Sequence, residues 1–96
     1  MDNDINNIRN QITGIDKKII TLLQKRYSLS YEIGIIKIRQ GRDIKDTGQE
    51  KKVLAEITNL PHDPIPNKDL IHLFTSIIKL SRKFQQSLKN NLSPKG

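Results

Sequence analysis

The sequence INNIRNQITGIDKKIITLLQKRYSLSYEIGII, residues 5–36, carries the longest regular apolar repeat of the chain. Its apolar residues recur at alternating steps of three and four, at positions 5, 8, 12, 15, 19, 22, 29, 33 and 36. This spacing places them along one side of a long helix that packs against other helices. Position 26 of the series is an arginine, and a cation in an apolar seam is costly unless an anion meets it. The stretch therefore predicts a helical bundle and an anionic partner for Arg26.

The predicted helix is too long for a chain of 96 residues to cover. Gly41 is suited to end it, and Asn3 or Asp4 to cap its start. The helix would then hold about 35 residues and extend about 50 Å, whereas a compact domain of this size has a radius of gyration of about 12–13 Å. Gly14 and Gly34 inside it indicate close packing or a bend. We therefore expect a second copy of the chain to cover the remainder of the rod.

Two shorter helices follow. Residues 47–50 match a capping box, although Asp46 could equally be the cap, and the helix they open has apolar residues at Val53, Leu54, Ile57 and Leu60. Asn67 is expected to cap the third helix. The apolar stripe of that helix consists of Leu70, Leu73, Phe74, Ile77, Ile78, Phe84 and Leu88. We expect an all-α fold with a three-helix subunit, in one domain over residues 1–96 with an ordered core at about 5–88 and a polar C-terminal tail from Asn90.

The composition narrows the classes of partner. The formal net charge is +7, the aromatic content is 4% and there is no cysteine, which excludes disulfides and thiolate metal sites. The polar, acidic start is unlike a signal peptide, and the apolar runs are too short to span a bilayer. We therefore expect a cytoplasmic protein with no membrane partner. The positive charge suits an acidic protein or a small anionic substrate, but with few aromatics and scattered basic residues we do not expect nucleic-acid binding.

Four polar side chains stand on or beside the apolar stripes, namely Arg26, Lys37, Ser81 and Gln85. Each has a structural explanation by itself. Arg26 would pair with a nearby acid, Lys37 would extend its ammonium to solvent, Ser81 would bond to the carbonyl of Ile77, and Gln85 would lie at a dimer edge. Together they favour a polar, cationic pocket inside a helical bundle, which is where such folds build ligand sites.

Other kinds of site find little support in the sequence. Glu50 is explained by the capping box alone. His62 and His72 have no partner at ligand spacing, so a metal is not expected. The sequence has no Gly-rich phosphate loop, no Ser-His-Asp set and no cysteine nucleophile.

The polar residues and their spacing resemble a known family. The matching motifs are Ile8-Arg9-(x)₆-Asp16-(x)₅-Leu22-Leu23-(x)₂-Arg26, Glu32-Ile33-Gly34-(x)₂-Lys37, Asp46-(x)₃-Glu50 and Ser81-(x)₃-Gln85. Over roughly residues 5–88 the chain resembles the all-helical, AroQ-class (type II) chorismate mutases. The resemblance implies an intertwined homodimer, with each site completed by the partner's first helix. It also implies the rearrangement of chorismate to prephenate, with no nucleophile, metal or cofactor.

The resemblance assigns catalytic and substrate-binding roles to the basic and amide side chains. Arg26 would bind one carboxylate of the dianionic substrate, and Arg9 would reach another carboxylate from the second subunit. Lys37 and Gln85 would donate to the ether oxygen as its bond to carbon stretches. The chair-like conformer would be held by the protein, and charge on the ether oxygen stabilised.

Three oxygen-bearing side chains complete the implied site. Asp46 and Glu50 would hold the ring hydroxyl, and Ser81 would bond near the ring carboxylate. Relatives with this fold also rearrange 4-amino-4-deoxychorismate or remove pyruvate from isochorismate. The combination of Ser81 and Glu50 resembles a true mutase more than the lyase.

The sequence departs from the family pattern beside Glu50. The family commonly has an arginine directly before this glutamate, where Gln49 stands here, and Asp43 stands where a loop proline is usual. Arg42 and Lys45 lie nearby and are candidates to replace the missing cation. The departure keeps open a second class of function, a catalytically weak regulatory dimer, which would bind a chorismate-like dianion without turnover.

Overall fold

The chain folds into three helices and, over the residues described, contains no strand. A computed structural model describes the backbone of residues 2–92 and the side chains of residues 3–91. The helices are α1 (Asp2–Arg39), α2 (Thr47–Thr58) and α3 (Asn67–Leu92). This confirms the all-α class and the long N-terminal helix. None of the helices in the described part of the chain combines the length and the apolar character that a membrane span requires.

The molecule is elongated because α1 extends beyond the other two helices. Its dimensions are 65 × 27 × 15 Å and its radius of gyration is 17.6 Å, against about 12–13 Å for a compact domain of this length. A helix of 38 residues is about 57 Å long by itself. The prediction that α1 is too long for its own chain to cover is confirmed.

The C-terminal end of α1 is formed by the glycine that the sequence indicated. Gly41 has a φ of +66°, a left-handed conformation that glycine adopts without strain. Its N–H donates to the Ile38 carbonyl at 3.1 Å, and the Arg42 N–H donates to the Lys37 carbonyl at 2.8 Å. These two bonds make a Schellman motif, which satisfies carbonyls that the helix end would otherwise leave without partners.

The predicted N-terminal caps are wrong for α1 and α3, and for α2 the alternative cap is confirmed. α1 begins at Asp2, so Asn3 and Asp4 lie within its first turn, and Asn67 is likewise the first residue of α3 rather than the residue before it. α2 is capped by Asp46, which the sequence left as the alternative to the capping box. A run of several capping residues leaves the exact start of a helix undetermined, because each of them can accept the first N–H bonds.

The end of α3 lies beyond the predicted core. The helix continues to Leu92, through the first residues of the segment expected to be a polar tail, while residues 93–96 lie outside the described part of the chain. The division into a core over residues 5–88 and a tail stays a prediction.

The buried core is small and partly polar, and it lies where α3 packs against the other elements. α3 contacts the C-terminal half of α1 and also contacts α2. Six residues of the described chain are buried, namely Gly34, Ile44, Leu70, Ser81, Gln85 and Leu88. Two of the six are polar side chains that the sequence marked as out of place, which indicates that the α1–α3 contact is built around a site as well as around apolar packing.

Candidate functional site

A cavity of about 220 Å³ lies between the C-terminal half of α1, the α1–α2 loop, α2 and α3. Thirteen residues line it: Arg26, Ser30, Ile33, Lys37, Ile44, Asp46, Gln49, Glu50, Val53, Ile78, Ser81, Arg82 and Gln85. The list includes six of the seven side chains that the family resemblance singled out. Residues from three helices and one loop, up to 59 positions apart in sequence between Arg26 and Gln85, therefore meet at one place.

Arg26 is held inside the cavity by α3. Its Nη1 donates to the Ser81 hydroxyl oxygen at 2.9 Å, so the partner of this cation is a neutral side chain and not the acid that its structural explanation required. Ser81 is 7% exposed, and its hydroxyl accepts from Arg26. A guanidinium has five N–H donors, so most of them remain for a ligand. The charge of Arg26 is positioned by the fold without being neutralised by Ser81.

Lys37 is positioned by the loop that follows α1. Its Nζ donates to the carbonyl oxygen of Ile44 at 3.0 Å. The Ile44 side chain is 3% exposed, so the loop is fixed to the core at that residue. An ammonium has three donors, and the bond to Ile44 leaves two for a ligand. Gly41 allows this bond between Lys37 and Ile44, because the tight turn at the end of α1 directs the loop back over the last turn of the helix.

Gln85 is clamped between α3 and α1. Its Nε2 donates to the Ser30 carbonyl at 2.6 Å, and the side chain is buried. Gly34 allows this approach, since a Cβ at that position would lie 3.1 Å from the Gln85 Cγ. The amide has a second N–H for a ligand. The close packing that Gly34 indicated in the sequence is thus the contact that positions Gln85.

Two carboxylates from the start of α2 form the opposite wall. Asp46 Oδ1 accepts from the Gln49 N–H at 3.0 Å as the helix cap. Glu50 does not close a capping box, because Asp46 already occupies the cap. Instead, its Oε1 accepts from Arg82 Nη1 on α3 at 2.7 Å. Each carboxylate therefore uses one oxygen for structure and keeps the other as an acceptor.

Arg9 is the one predicted site residue that the fold of a single chain does not bring to the cavity. It is exposed on α1, about 25 Å along the helix axis from Arg26 at 1.5 Å per residue. Arg42 and Lys45 also lie outside the cavity lining and are exposed. The Arg42 guanidinium donates to the Gln40 side chain at 3.3 Å. Neither residue supplies the missing cation to the cavity of a single chain, and their role as its replacements stays a prediction.

Arg82 was not singled out in the sequence. It lies four residues after Ile78, so the helical repeat that places Ile78 on the inner stripe places Arg82 beside it. That spacing could have identified Arg82 as an inward-facing residue. Ser81 already occupies the apolar stripe at this turn of α3, however, so its neighbour did not stand out. The ion pair with Glu50 could not be read from sequence, since the two residues are 32 positions apart.

A second, larger depression is less suited to an anion. It encloses about 960 Å³ on the adjacent face of α1 and α3, where the Tyr27 and Phe84 rings meet edge to face with centroids 5.5 Å apart. Its one charged lining residue is Glu32. Within the described residues there is no cluster of three or more His, Cys, Asp or Glu side chains placed to hold a metal ion.

The fold and the cavity together define an all-α protein with an inter-helix cavity whose lining carries more cations than carboxylates. The family model described as chorismate mutase type II matches residues 8–86 of the chain. The chain therefore belongs to the type II chorismate mutase family, and the resemblance stated from the sequence is confirmed.

Several relatives of the chain are described as bifunctional enzymes. The chain is 38% identical over 89 residues to a bifunctional chorismate mutase/prephenate dehydratase of Buchnera aphidicola subsp. Schizaphis graminum, an alignment that covers 92% of this chain and 23% of the relative. It is 32% identical over 90 residues to the protein of that description from Enterobacter agglomerans, covering 91% and 23%. For Aquifex aeolicus the identity is 26% over 90 residues, covering 90% and 25%. The chain thus spans about a quarter of the length of the curated relatives it matches.

Proposed function

We propose that the chain catalyses the rearrangement of chorismate to prephenate, in a site that a second copy of the chain completes. The observation that carries the proposal is the convergence of Arg26, Lys37 and Gln85 on one cavity, each held by an oxygen of the protein and each with N–H groups to spare. Membership of the type II chorismate mutase family supports the same reaction.

The proposed chemistry needs restraint and electrostatic stabilisation rather than a reactive side chain. In chorismate the breaking carbon–oxygen bond and the forming carbon–carbon bond belong to one molecule, so the protein must hold the chair-like conformer and stabilise charge on the ether oxygen. Lys37 and Gln85 are the donors proposed for that oxygen. Their bonds to the carbonyls of Ile44 and Ser30 fix both head groups before substrate enters, so little reorganisation is required at the moment of reaction.

The carboxylates and the ring hydroxyl of the substrate need complementary partners. Arg26 is proposed to bind one substrate carboxylate through its remaining N–H groups, and the Ser81 hydroxyl to donate near the ring carboxylate while it accepts from Arg26. Asp46 and Glu50 are proposed to accept from the ring hydroxyl through the oxygens that the helix cap and the Arg82 ion pair leave over.

A second copy of the chain is proposed to cover the exposed half of α1. The apolar side chains of its seam between Ile5 and Leu22 are 48–66% exposed, and a row of this length is what an intertwined helical dimer buries. The cavity of about 220 Å³ is below the usual range for a small-molecule site and is partly open to solvent, which fits a site completed by another element. Arg9, exposed on the same half of α1, is the residue proposed to enter it.

The test is depletion of substrate by the purified protein. Chorismate, isochorismate and 4-amino-4-deoxychorismate would be supplied separately, and the loss of each would be followed with identification of the product. We expect prephenate from chorismate and slow or no loss of the other two. Faster loss of isochorismate with release of pyruvate, or tight binding of chorismate without turnover, would contradict the proposal.

The cytoplasmic location stays a prediction.

A further inference from the structure

Arg82 is a cavity residue to which neither the sequence motifs nor the family resemblance gave a role. It lies on α3 directly after Ser81, and its Nη1 donates to Glu50 Oε1 at 2.7 Å. Within the described side chains this is the one ion pair. Both partners line the cavity, and each side chain is 25% exposed, so the pair lies at the cavity wall.

The charge balance of the cavity depends on Arg82. The ionised groups in the lining are the cations of Arg26, Lys37 and Arg82 and the carboxylates of Asp46 and Glu50. Three cations against two carboxylates leave one positive charge, and removal of Arg82 would leave none. A dianion is attracted to a lining with a net positive charge but gains little net Coulombic attraction from a neutral one. The attraction to a positive lining is stronger in a partly buried site than in water. Arg82 therefore decides whether one chain presents a positive or a neutral cavity to its ligand.

The residue before Glu50 shows why the cation of Arg82 matters at this wall of the cavity. Gln49 also lines the cavity, directly before Glu50, but it carries no charge. The wall formed by the start of α2 thus contributes two carboxylates and no cation. Arg82 reaches that wall from α3, where its guanidinium neutralises the Glu50 carboxylate and keeps most of its N–H donors for another anion.

We propose that Arg82 is a substrate-binding residue, which supplies the cation at the α2 wall of the cavity and binds a carboxylate of the dianionic substrate beside Glu50. This inference rests on the proposed function for the identity of the substrate. Paired to Glu50, the guanidinium is held in place at little entropic cost, as a planar fork suited to bidentate binding of a carboxylate. A structural clamp between α2 and α3 is the competing explanation, because the ion pair joins the two helices.

The first experiment compares Arg82→Gln with Lys83→Gln. Lys83 is the next residue on α3 and is exposed, so its replacement changes the net charge equally without touching the cavity. We expect Arg82→Gln to raise KM for chorismate about tenfold or more with a smaller change in kcat, because the lost contact binds substrate and transition state alike. Lys83→Gln is expected to stay within about twofold of wild type in both. Equal KM values for the two variants would overturn the inference.

A double-mutant cycle separates binding from positioning of Glu50. If Arg82 acts only by orienting Glu50, Arg82→Gln has no further effect on KM in a Glu50→Gln background. We expect instead a further rise in KM of about tenfold. We also expect Gln49→Arg to bring the KM of Arg82→Gln back to within about threefold of wild type, because position 49 lines the same wall. Absence of the further rise would assign Arg82 a structural role and contradict the proposal.

Failure of the inference about Arg82 can be distinguished from failure of the proposed function. Turnover of chorismate by wild type with no KM effect in Arg82→Gln would contradict the inference alone. If wild type leaves chorismate unchanged, the proposed function is wrong, and the inference is then decided by calorimetric titration with chorismate. A dissociation constant at least about tenfold weaker for Arg82→Gln than for Lys83→Gln would support it. Equal constants, or no binding by wild type, would overturn it.

Discussion

The two halves of α1 carry the same apolar repeat and have different surroundings. From residue 3 to residue 22 every residue except Gly14 is exposed, whereas from 23 to 38 eight of sixteen are buried or half-buried. The contacts that distinguish the second half are those of Arg26 with Ser81 and of Gly34 with Gln85. A spacing of three and four thus specifies a helix face that needs a partner, but it does not say whether that partner belongs to the same chain.

The difference also separates two kinds of residue in the site. The half that packs on α3 contributes side chains fixed by bonds within the chain, such as Lys37 to the Ile44 carbonyl. The exposed half contributes Arg9, whose role requires a second copy.

Replacement of Lys37 by alanine should have the largest effect. We expect kcat for chorismate to fall roughly 10³-fold, since a positioned donor to the ether oxygen is lost. Circular dichroism should show an unchanged helix content, because Lys37 makes one bond to the loop. Arg39→Ala is the control, as it removes the same charge from an exposed position in the last turn of α1. An unchanged rate would show that Lys37 is not the donor.

Mixing two inactive variants tests whether the halves of α1 act in different subunits. Arg9→Ala and Arg26→Ala should each lose about 10²-fold or more in turnover, because each removes a charged contact to a substrate carboxylate. After unfolding and refolding together, mixed dimers would contain one site with neither change. The mixture should recover about a quarter of wild-type turnover, as half of the dimers would be mixed. A mixture no more active than its components would contradict a shared site.

Gln85→Glu should make activity depend on acid. A carboxyl group can donate to the ether oxygen only when protonated, and when ionised it would repel both that oxygen and the Ser30 carbonyl. Activity should therefore be present below the pKa of the introduced carboxyl and decline as the pH rises through it. We expect turnover about tenfold higher near pH 5 than near pH 8. Gln86→Glu, at an exposed neighbouring position, should keep the wild-type profile, and matching profiles for the two variants would remove Gln85 from the mechanism.

Replacement of a glycine by alanine in each half of α1 should have the smallest effects, and comparing the two variants should be the most informative test. In Gly34→Ala the added Cβ would lie 3.1 Å from the Gln85 Cγ, so Gln85 must shift by a few tenths of an ångström. We expect turnover to fall by a factor of about three to ten, whereas the gain in helix propensity, about 1 kcal/mol, limits any loss of stability.

Gly14→Ala meets no atom within 4 Å, and position 14 lies off the apolar seam between positions 12 and 15. It should raise the free energy of unfolding by about 0.5–1 kcal/mol and leave turnover unchanged. The measurements are thermal unfolding and steady-state rates for both alanine variants. Equal rates in the two would show that close approach at Gly34 is not what positions Gln85.

The sequence determined the features that depend on local order. The repeat of α1, the stop at Gly41 and the inward placement of Arg26, Ser81 and Gln85 follow from periods of three to four residues, which act within one helix. The family resemblance added Asp46 and Glu50 to the same site.

The tertiary structure decided what depends on residues far apart in sequence. Only the packing of α2 against α3 could show that Glu50 bonds to Arg82 instead of closing a cap. Only the folded path of the loop between α1 and α2 could show that Arg42 and Lys45 lie outside the cavity. Contacts between positions 32 or 55 apart depend on how whole helices approach one another. The apolar repeat of a helix does not specify this packing, because any apolar surface can cover such a helix face.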